Sequence, residues 1–341
     1  MTNHLDIRLY QRADNEAALA LEAQCPQGKS LKFSFHRRSF HLRTESYENA
    51  QIWVALMNDR MIATIAGAVK EVQLSGHPAR AGYIYDIRVQ PQCRRQGVAK
   101  TITEYALARL APQTDLIYCF VAGQNRPALR AVQKIYHAEI ILPLQYFALP
   151  VYRHRSGVGE LHAVDFSQTH AQFVQRFSQL DFYCQPPQSR LHGYLGSYEW
   201  RSPDERAGCS LWTNREILAE RVEHLPWQFS VLRRLFPLVR PIISLPHIPQ
   251  AGEFIQSWLL FDFYADSPAA AKSLLASINN LALKQGIHYL YLLMQKSHSL
   301  SATVRESAPR WFAPTIPYFL LARGRLLPAP QANVYIDVRD L

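Results

Sequence analysis

Arg94-Arg95-Gln96-Gly97-Val98-Ala99 is the stretch whose reading decides the fold. It follows the apolar run Tyr83-Ile84-Tyr85-Asp86-Ile87-Arg88-Val89 and opens a predicted helix, Val98 to Leu110. A strand, a donor-rich loop and a helix N-terminus together make an anion site. The N–H groups of the first turn have no intrahelical partner, and the helix dipole favours negative charge there. Gly97 has no Cβ to hold a ligand off the backbone, and Ala99 keeps that approach open. The stretch from Arg94 to Lys100 therefore reads as a pyrophosphate cradle for a coenzyme. A basic turn between a strand and an amphipathic helix is the plainer reading of the same residues.

The chain has 341 residues, enough for two domains with a core each. With 48% apolar and 19% charged residues it is globular in composition, and no stretch has the bias of a disordered tail. The first residues lack a signal-peptide apolar core, and no apolar run approaches the ~20 residues of a spanning helix. A soluble protein with no membrane partner is expected. Cys25, Cys93, Cys119, Cys184 and Cys209 are scattered and odd in number, without a C-x-x-C pair. That pattern speaks against a disulfide framework and a cysteine-based zinc site, and it suits a reducing cytoplasm. No metal is expected. Cys93 lies beside two arginines that could activate a thiol, although a loop cysteine without a role is the simpler assignment. A formal charge of +10 favours anionic partners such as a nucleotide-bearing coenzyme. Nucleic acid is disfavoured, since no binding signature is present.

Along the first half, Ile7–Tyr10 alternates as a strand and Asp14 is placed to cap a helix, Asn15 to Gln24. From Lys29 to Arg43 five basic residues are interleaved with Phe33, Phe35 and Phe40 and contain no acid. This reads as a solvated helix face with an inward aromatic stripe; a wall of an acceptor cleft is the functional alternative. Ile52–Met57 and Met61–Leu74 are strands joined by the turn Asn58-Asp59-Arg60. A strand Asp115–Ala122, a helix from Asn125 to about His137 and a strand Glu139–Leu149 complete the unit.

Val89-Gln90-Pro91, the two arginines and Gly97-Val98-Ala99 resemble the acetyl-CoA signature of the GNAT superfamily of N-acetyltransferases, Arg/Gln-x-x-Gly-x-Gly/Ala. The order of elements over residues 5–153 is similar to the fold of that family. The resemblance implies acetyl-CoA as co-substrate. Its pyrophosphate would lie on Arg94, Arg95, Gln96, Gly97, Val98, Ala99 and Lys100. Backbone N–H near Ile87, Arg88 and Val89 would lie beside the thioester. Asn125 falls where the family has a coenzyme-contacting asparagine, and it could equally be a helix cap. The family's usual acidic tyrosine is replaced by Val132, with Tyr136 one helical turn away as a substitute acid or a packed side chain.

The second half repeats the pattern. Glu160–Asp165, Thr169–Leu180 and Gly208–Trp212 echo the opening strand, helix and central strand. Trp258–Tyr264, Ala269–Lys284 and Ile287–Leu293 echo the coenzyme core, but the loop Ala265-Asp266-Ser267-Pro268 has neither glycine nor arginine. The expected fold is α/β (α+β). It comprises two GNAT-like domains, 1–155 binding acetyl-CoA and 156–341 a degenerate copy, each a mixed twisted sheet flanked by helices. An inserted helix pair is expected around 226–250, and Tyr318–Leu321 and Val334–Val338 as closing strands. Tyr85–Val89 with Arg94–Gly97, and Val334–Asp340, resemble the plant Hookless-type N-acetyltransferases, regarded as protein or histone acetyltransferases. The second half carries no chromatin-reading motif.

Acetyl transfer to an amine needs a held thioester, a neutral amine and a stabilised oxyanion. Asp86 is the candidate base, directly or through water, unless it forms a structural ion pair with Arg88 two residues on. A base-free reaction with bulk water and use of the Leu341 carboxylate are the other routes. The function expected is transfer of an acetyl group to a primary amine of a small molecule or protein, by a monomer or homodimer. A non-catalytic acyl-CoA sensor or interaction protein is the alternative.

Overall fold

Two long apolar runs, Arg60–Leu74 and His77–Val89, pair antiparallel across a tight turn in which Ser75 and Gly76 take positive φ. They form the centre of the first half. The computed structural model describes residues 5–28, 31–157, 159–239, 244–309, 313–329 and 332–341. In chain order the first half holds β1 (Asp6–Leu9), α1 (Asn15–Ala23), β2 (Lys32–His36), α2 (Leu42–Glu45), β3 (Asn49–Met57) and β4 (Arg60–Leu74). It continues with β5 (His77–Val89), α3 (Val98–Leu110), β6 (Leu116–Ala122), α4 (Arg126–Lys134) and β7 (Glu139–Pro150). The second half holds β8 (Glu160–Val164), α5 (Phe166–Phe177), β9 (Tyr194–Arg201), β10 (Arg206–Trp212), β11 (Ala219–His224) and α6 (Trp227–Val239). It ends with β12 (Ser257–Ala265), α7 (Pro268–Lys284), β13 (Tyr289–Gln295), α8 (Ser301–Glu306) and β14 (Thr315–Gly324).

The expected α/β class is the one adopted, with one large mixed sheet and flanking helices. Twelve strands run in the order β1-β3-β4-β5-β6-β14-β7-β13-β12-β10-β9-β8. That order mirrors itself about the β14–β7 junction. The last strand of each half has crossed into the other: β14 lies against β6, and β7 lies against β13. Alternation along the strands sorts the helices. In β4, Ala66 and Ala68 face the cluster that holds Ala18 of α1, while Ala63 and Ile65 face the cluster of Ile102 and Ala106 of α3. Ala270, Leu274 and Ile278 of α7 cover Cys209 and Leu211 in the same way.

Several local expectations change. Asp14 does not cap α1 with its side chain; its carboxylate accepts from Arg8 at 2.7 and 2.8 Å and from the Gln11 N–H. The basic stretch 32–43 is a strand and a short helix instead of one helix face, because Lys32–His36 pairs with Ala219–His224 of the second half as a separate two-stranded ribbon. Lys29, at its start, lies outside the described residues, as does Arg240. Among the described residues of the expected helix pair there is one helix, α6, and Ser244–Pro249 is irregular, as Pro246 and Pro249 dictate. Val334–Val338 is not a strand. One bridge, Asp181 with Val334, precedes a 3-10 turn at Val338–Asp340.

Candidate functional site

The site begins with an irregularity in β5. Thr64 faces Arg88 and Ala66 faces Tyr85, so Ile65 opposes two residues, Asp86 and Ile87. This is a β-bulge, and Asp86 takes φ 50 to make it. Just before it β5 leaves β6, with which it pairs in parallel only from Ala81–Tyr83 to Leu116–Tyr118. β6 continues against β14 along its whole length. The sheet therefore splays, and the β5 edge from Ile84 to Val89 faces the gap. Ile87 is exposed there.

At the end of β5 the loop predicted to cradle phosphate runs into α3, which has the boundaries Val98–Leu110 expected of it. Arg95 and Gly97 both take positive φ, 63 and 84, which turns the backbone sharply onto the helix N-terminus. Arg94, Arg95, Gln96, Gly97, Ala99 and Lys100 are exposed and Val98 is buried as the anchor. A Cβ on Gly97 would meet nothing within 4 Å, so the space in front of the first turn is open. Gly97 offers no side chain to cap it, which leaves the N–H groups of Val98 to Lys100 available to an anion. Arg94 is steadied by donating to the Val89 carbonyl at 3.1 Å. Cys93 is a free thiol but a buried one, packed in the cluster under α3.

Asp86 belongs to a buried ion cluster. Arg37 donates to it at 2.9 Å and Arg43 at 3.1 Å, and Arg88 lies at 3.7 Å. Arg37 also binds Glu22 through Nε at 2.8 Å and through Nη2, while Arg88 reaches Glu22 at 3.5 Å. Burial pushes the Asp86 carboxyl up, but the guanidiniums of Arg37, Arg43 and Arg88 outweigh it and hold the group well below the usual carboxylate range. A carboxylate held this firmly takes up a proton poorly. The geometry gives Asp86 ion pairs with Arg37 and Arg43 that are closer than the expected one with Arg88. It corrects the reading of Arg37 and Arg43 as a solvated face: both are buried.

Tyr136 is buried, and its hydroxyl donates to the Ala99 carbonyl at 3.2 Å, fastening the end of α4 to the first turn of α3. Burial raises its pKa. These contacts are those of the packed tyrosine that was the alternative to a substitute acid. Asn125 is the N-cap of α4 and accepts from the Ala128 N–H at 3.3 Å.

One network was not anticipated. The last residues pass beneath the tyrosines of the first half, where Lys70 binds Asp337 at 3.0 Å and Asp340 at 2.8 Å. Tyr118 donates to Asp340 at 2.6 Å, Tyr47 to the Arg339 carbonyl at 2.6 Å, and Tyr83 to the Asp340 carbonyl. Arg339 closes on Asp337, and Arg43 reaches the main-chain oxygen of Leu341 at 3.1 Å, joining this network to Asp86. Lys70 amid an apolar strand and two acids in an apolar terminal run were the available signals. Among the described residues no helix is long and apolar enough to cross a membrane.

Residues 15–137 match the family described as the acetyltransferase (GNAT) family. No curated protein matches the sequence. Among solved structures, N-myristoyltransferase of Saccharomyces cerevisiae with bound myristoyl-CoA superposes with a TM-score of 0.62 at 9% identity, covering 99% of this chain and 90% of that one. A proposed acetyltransferase from Pyrococcus horikoshii gives 0.57 at 11% identity, covering 100% and 96%. A GCN5-related N-acetyltransferase from Anabaena variabilis gives 0.51 at 11% identity, covering 94% and 73%. At such identities the likeness is one of fold.

Proposed function

We propose, with the GNAT-family domain at residues 15–137 as the premise, that the chain is an acetyl-CoA-dependent N-acetyltransferase acting on a primary amine of a small molecule or protein. The observation that carries this reading is the conjunction of the splayed, bulged edge of β5 with an open helix N-terminus at its end. The first-turn N–H groups of Val98, Ala99 and Lys100 would hold the pyrophosphate, with Arg94 and Arg95 beside them. The β5 edge at Ile87, Arg88 and Val89 would present backbone N–H groups to the thioester oxygen. Asn125 would stand at the far side of the gap. Asp86 acts as a positioning residue that fixes the bulge. With that carboxylate committed, the amine arrives neutral or loses its proton to water.

Residues 1–155 form the coenzyme half in this reading, and 156–341 a degenerate second copy that shapes the acceptor side. The mirrored strand order and the exchange of β7 and β14 support the duplication. β11 against β2 and the terminal segment beneath Tyr83 and Tyr118 support an acceptor-side role, since both set second-half residues against the first half. A Hookless-type relationship and work in a reducing cytoplasm, which suits five free thiols, belong to the same proposal.

Calorimetry with acetyl-CoA is the test. Binding is expected to the parent and not to Gly97→Glu, which puts an anion where the pyrophosphate lies; equal binding by both defeats the proposal. The engagement of Tyr136 with Ala99 favours a second reading, a non-catalytic acyl-CoA sensor. Release of free thiol with a panel of polyamines, amino acids, aminoglycosides and basic peptides separates the two. Turnover that disappears in Gly97→Glu assigns the enzyme, and acetyl-CoA binding without turnover assigns the sensor.

A further inference from the structure

Far along the chain from the coenzyme loop, His247, Glu253 and His288 come together. His247 and Glu253 lie on the segment between α6 and β12, and His288 immediately precedes β13. One ligand-competent atom from each lies within 4.8 Å of the others. The two imidazoles stack with centroids 4.0 Å apart and planes at 27°.

A close contact between His247 Nε2 and the Glu253 carboxylate explains two members of this cluster. It does not explain the third. The Nδ1 of His288 is sealed from solvent and has no hydrogen-bond partner. A buried ring nitrogen left unpaired costs free energy unless something answers it. Main-chain bonds restrain His288: its N–H donates to the Gln256 carbonyl at 2.7 Å and its carbonyl accepts from Val151 at 2.9 Å. The other two are braced as well. Tyr289 donates to the His247 carbonyl at 3.2 Å, and the Gln250 N–H donates to the second Glu253 oxygen at 3.0 Å.

We propose that His247, Glu253 and His288 form a binding site for one divalent transition-metal ion of the Zn²⁺ type. Two imidazole nitrogens and one carboxylate suit a borderline cation, whereas Ca²⁺ and Mg²⁺ favour oxygen ligands throughout. A tetrahedral ion needs a fourth ligand and a way in. His247 borders an open cavity of about 340 Å³, lined also by Val151, Tyr152, Ser244 and Leu245, and an ion or a water ligand would enter from that side. The role is structural. Gly252 donates to the Val222 carbonyl and Ile255 to the Glu220 carbonyl, so the same segment supports the ribbon of β11 and β2. An ion held there ties the segment after α6 to the start of β13.

The test uses the full chain without a histidine tag, stripped with EDTA and titrated with Zn²⁺ by calorimetry and with Co²⁺ by absorption spectroscopy. One Zn²⁺ per chain is expected, with a Co²⁺ spectrum typical of four-coordination. His288→Gln should weaken Zn²⁺ by roughly tenfold or more. His162→Gln, which alters the exposed His162–Glu160 pair, should leave affinity unchanged. Zn²⁺ should also raise the Tm of the parent but not of His288→Gln. Should His288→Gln fail to fold, Glu253→Gln carries the same expectation. Zn²⁺ affinity equal in the parent and the cluster variants, or no stoichiometric binding, overturns the proposal. None of these readouts involves acetyl-CoA, so the coenzyme reading stands or falls separately.

Discussion

Asp86 and Asp262 occupy equivalent places in the mirrored sheet and live in opposite electrostatic worlds. In the first half Ile65 faces Asp86 and Ile87; in the second, Cys209 faces Asp262 and Phe263. Both aspartates open a bulge, with φ 50 and φ 51. Both follow the point where a parallel pairing ends, at Tyr83 in β5 and at Leu260 in β12. Yet Asp86 is held as an anion by arginines, whereas among the described residues no lysine or arginine pairs with Asp262. It accepts a hydrogen bond from Tyr335 at 2.7 Å and lines a small enclosed cavity with His170, Ser197 and Ser210. Burial pushes its carboxyl up to about 7. The helix starts diverge likewise. α3 begins at an uncapped glycine in open space, and α7 begins with Ser267 accepting from the Ala270 N–H at 3.1 Å. Asp266, beside it, is occupied by the Arg206 N–H. The two halves share this backbone geometry, but only the first has a helix start at an uncapped glycine facing open space.

The contrast can be broken most severely at Asp86. Asp86→Asn leaves Arg37 and Arg88 sharing Glu22 and Arg43 with no carboxylate side chain, and a loss of about 3–5 kcal/mol is expected in urea unfolding at neutral pH. Because the folded-state carboxyl is depressed, its contribution is present above the ordinary carboxylate range and is lost as pH falls through the folded value. The penalty should therefore shrink in acid; a penalty independent of pH would show that charge is not its origin. Asp262→Asn should act in the opposite sense. Raised from 3.8 to about 7, Asp262 makes the folded state bind the extra proton, so the parent loses stability as pH rises between those values. The variant should lack that decline and exceed the parent by on the order of 1–3 kcal/mol at pH 8. A variant less stable than the parent at pH 8 refutes the assignment. The smallest effect is at the second helix start. Ser267→Ala should cost about 1 kcal/mol and leave acetyl-CoA binding unchanged; a change in binding would place the coenzyme in the wrong half.

What could be read ahead of the structure was what neighbouring residues decide together. The α3 boundaries, the Asn58-Asp59 turn with both residues at positive φ, and the strands flanking α7 follow from local pattern and turn chemistry. The candidate coenzyme loop was equally legible, since helix ends, glycine and arginine act through adjacent backbone. The roles of Arg37 and Arg43 were not, because their partners Glu22 and Asp86 come from outside the basic stretch. Val334–Val338 has strand-like alternation, but Lys70 draws Asp337 and Asp340 into the core and the segment turns instead of pairing. His247, Glu253 and His288 have no motif spacing that would announce them.

By itself, the sequence determined that there are two strand–helix–strand cores and that only one carries glycine and arginine in the loop before its helix. Those are properties of contiguous residues. Only the tertiary structure decided that the halves share one sheet by exchanging β7 and β14, that Asp86 is a fixed anion while Asp262 retains its proton to near neutrality, and that two histidines meet a glutamate beside β13. A strand's pattern says which face is buried but not which strand lies beside it. A carboxylate's charge is set by burial and by partners brought from distant sequence, and packing alone brings them.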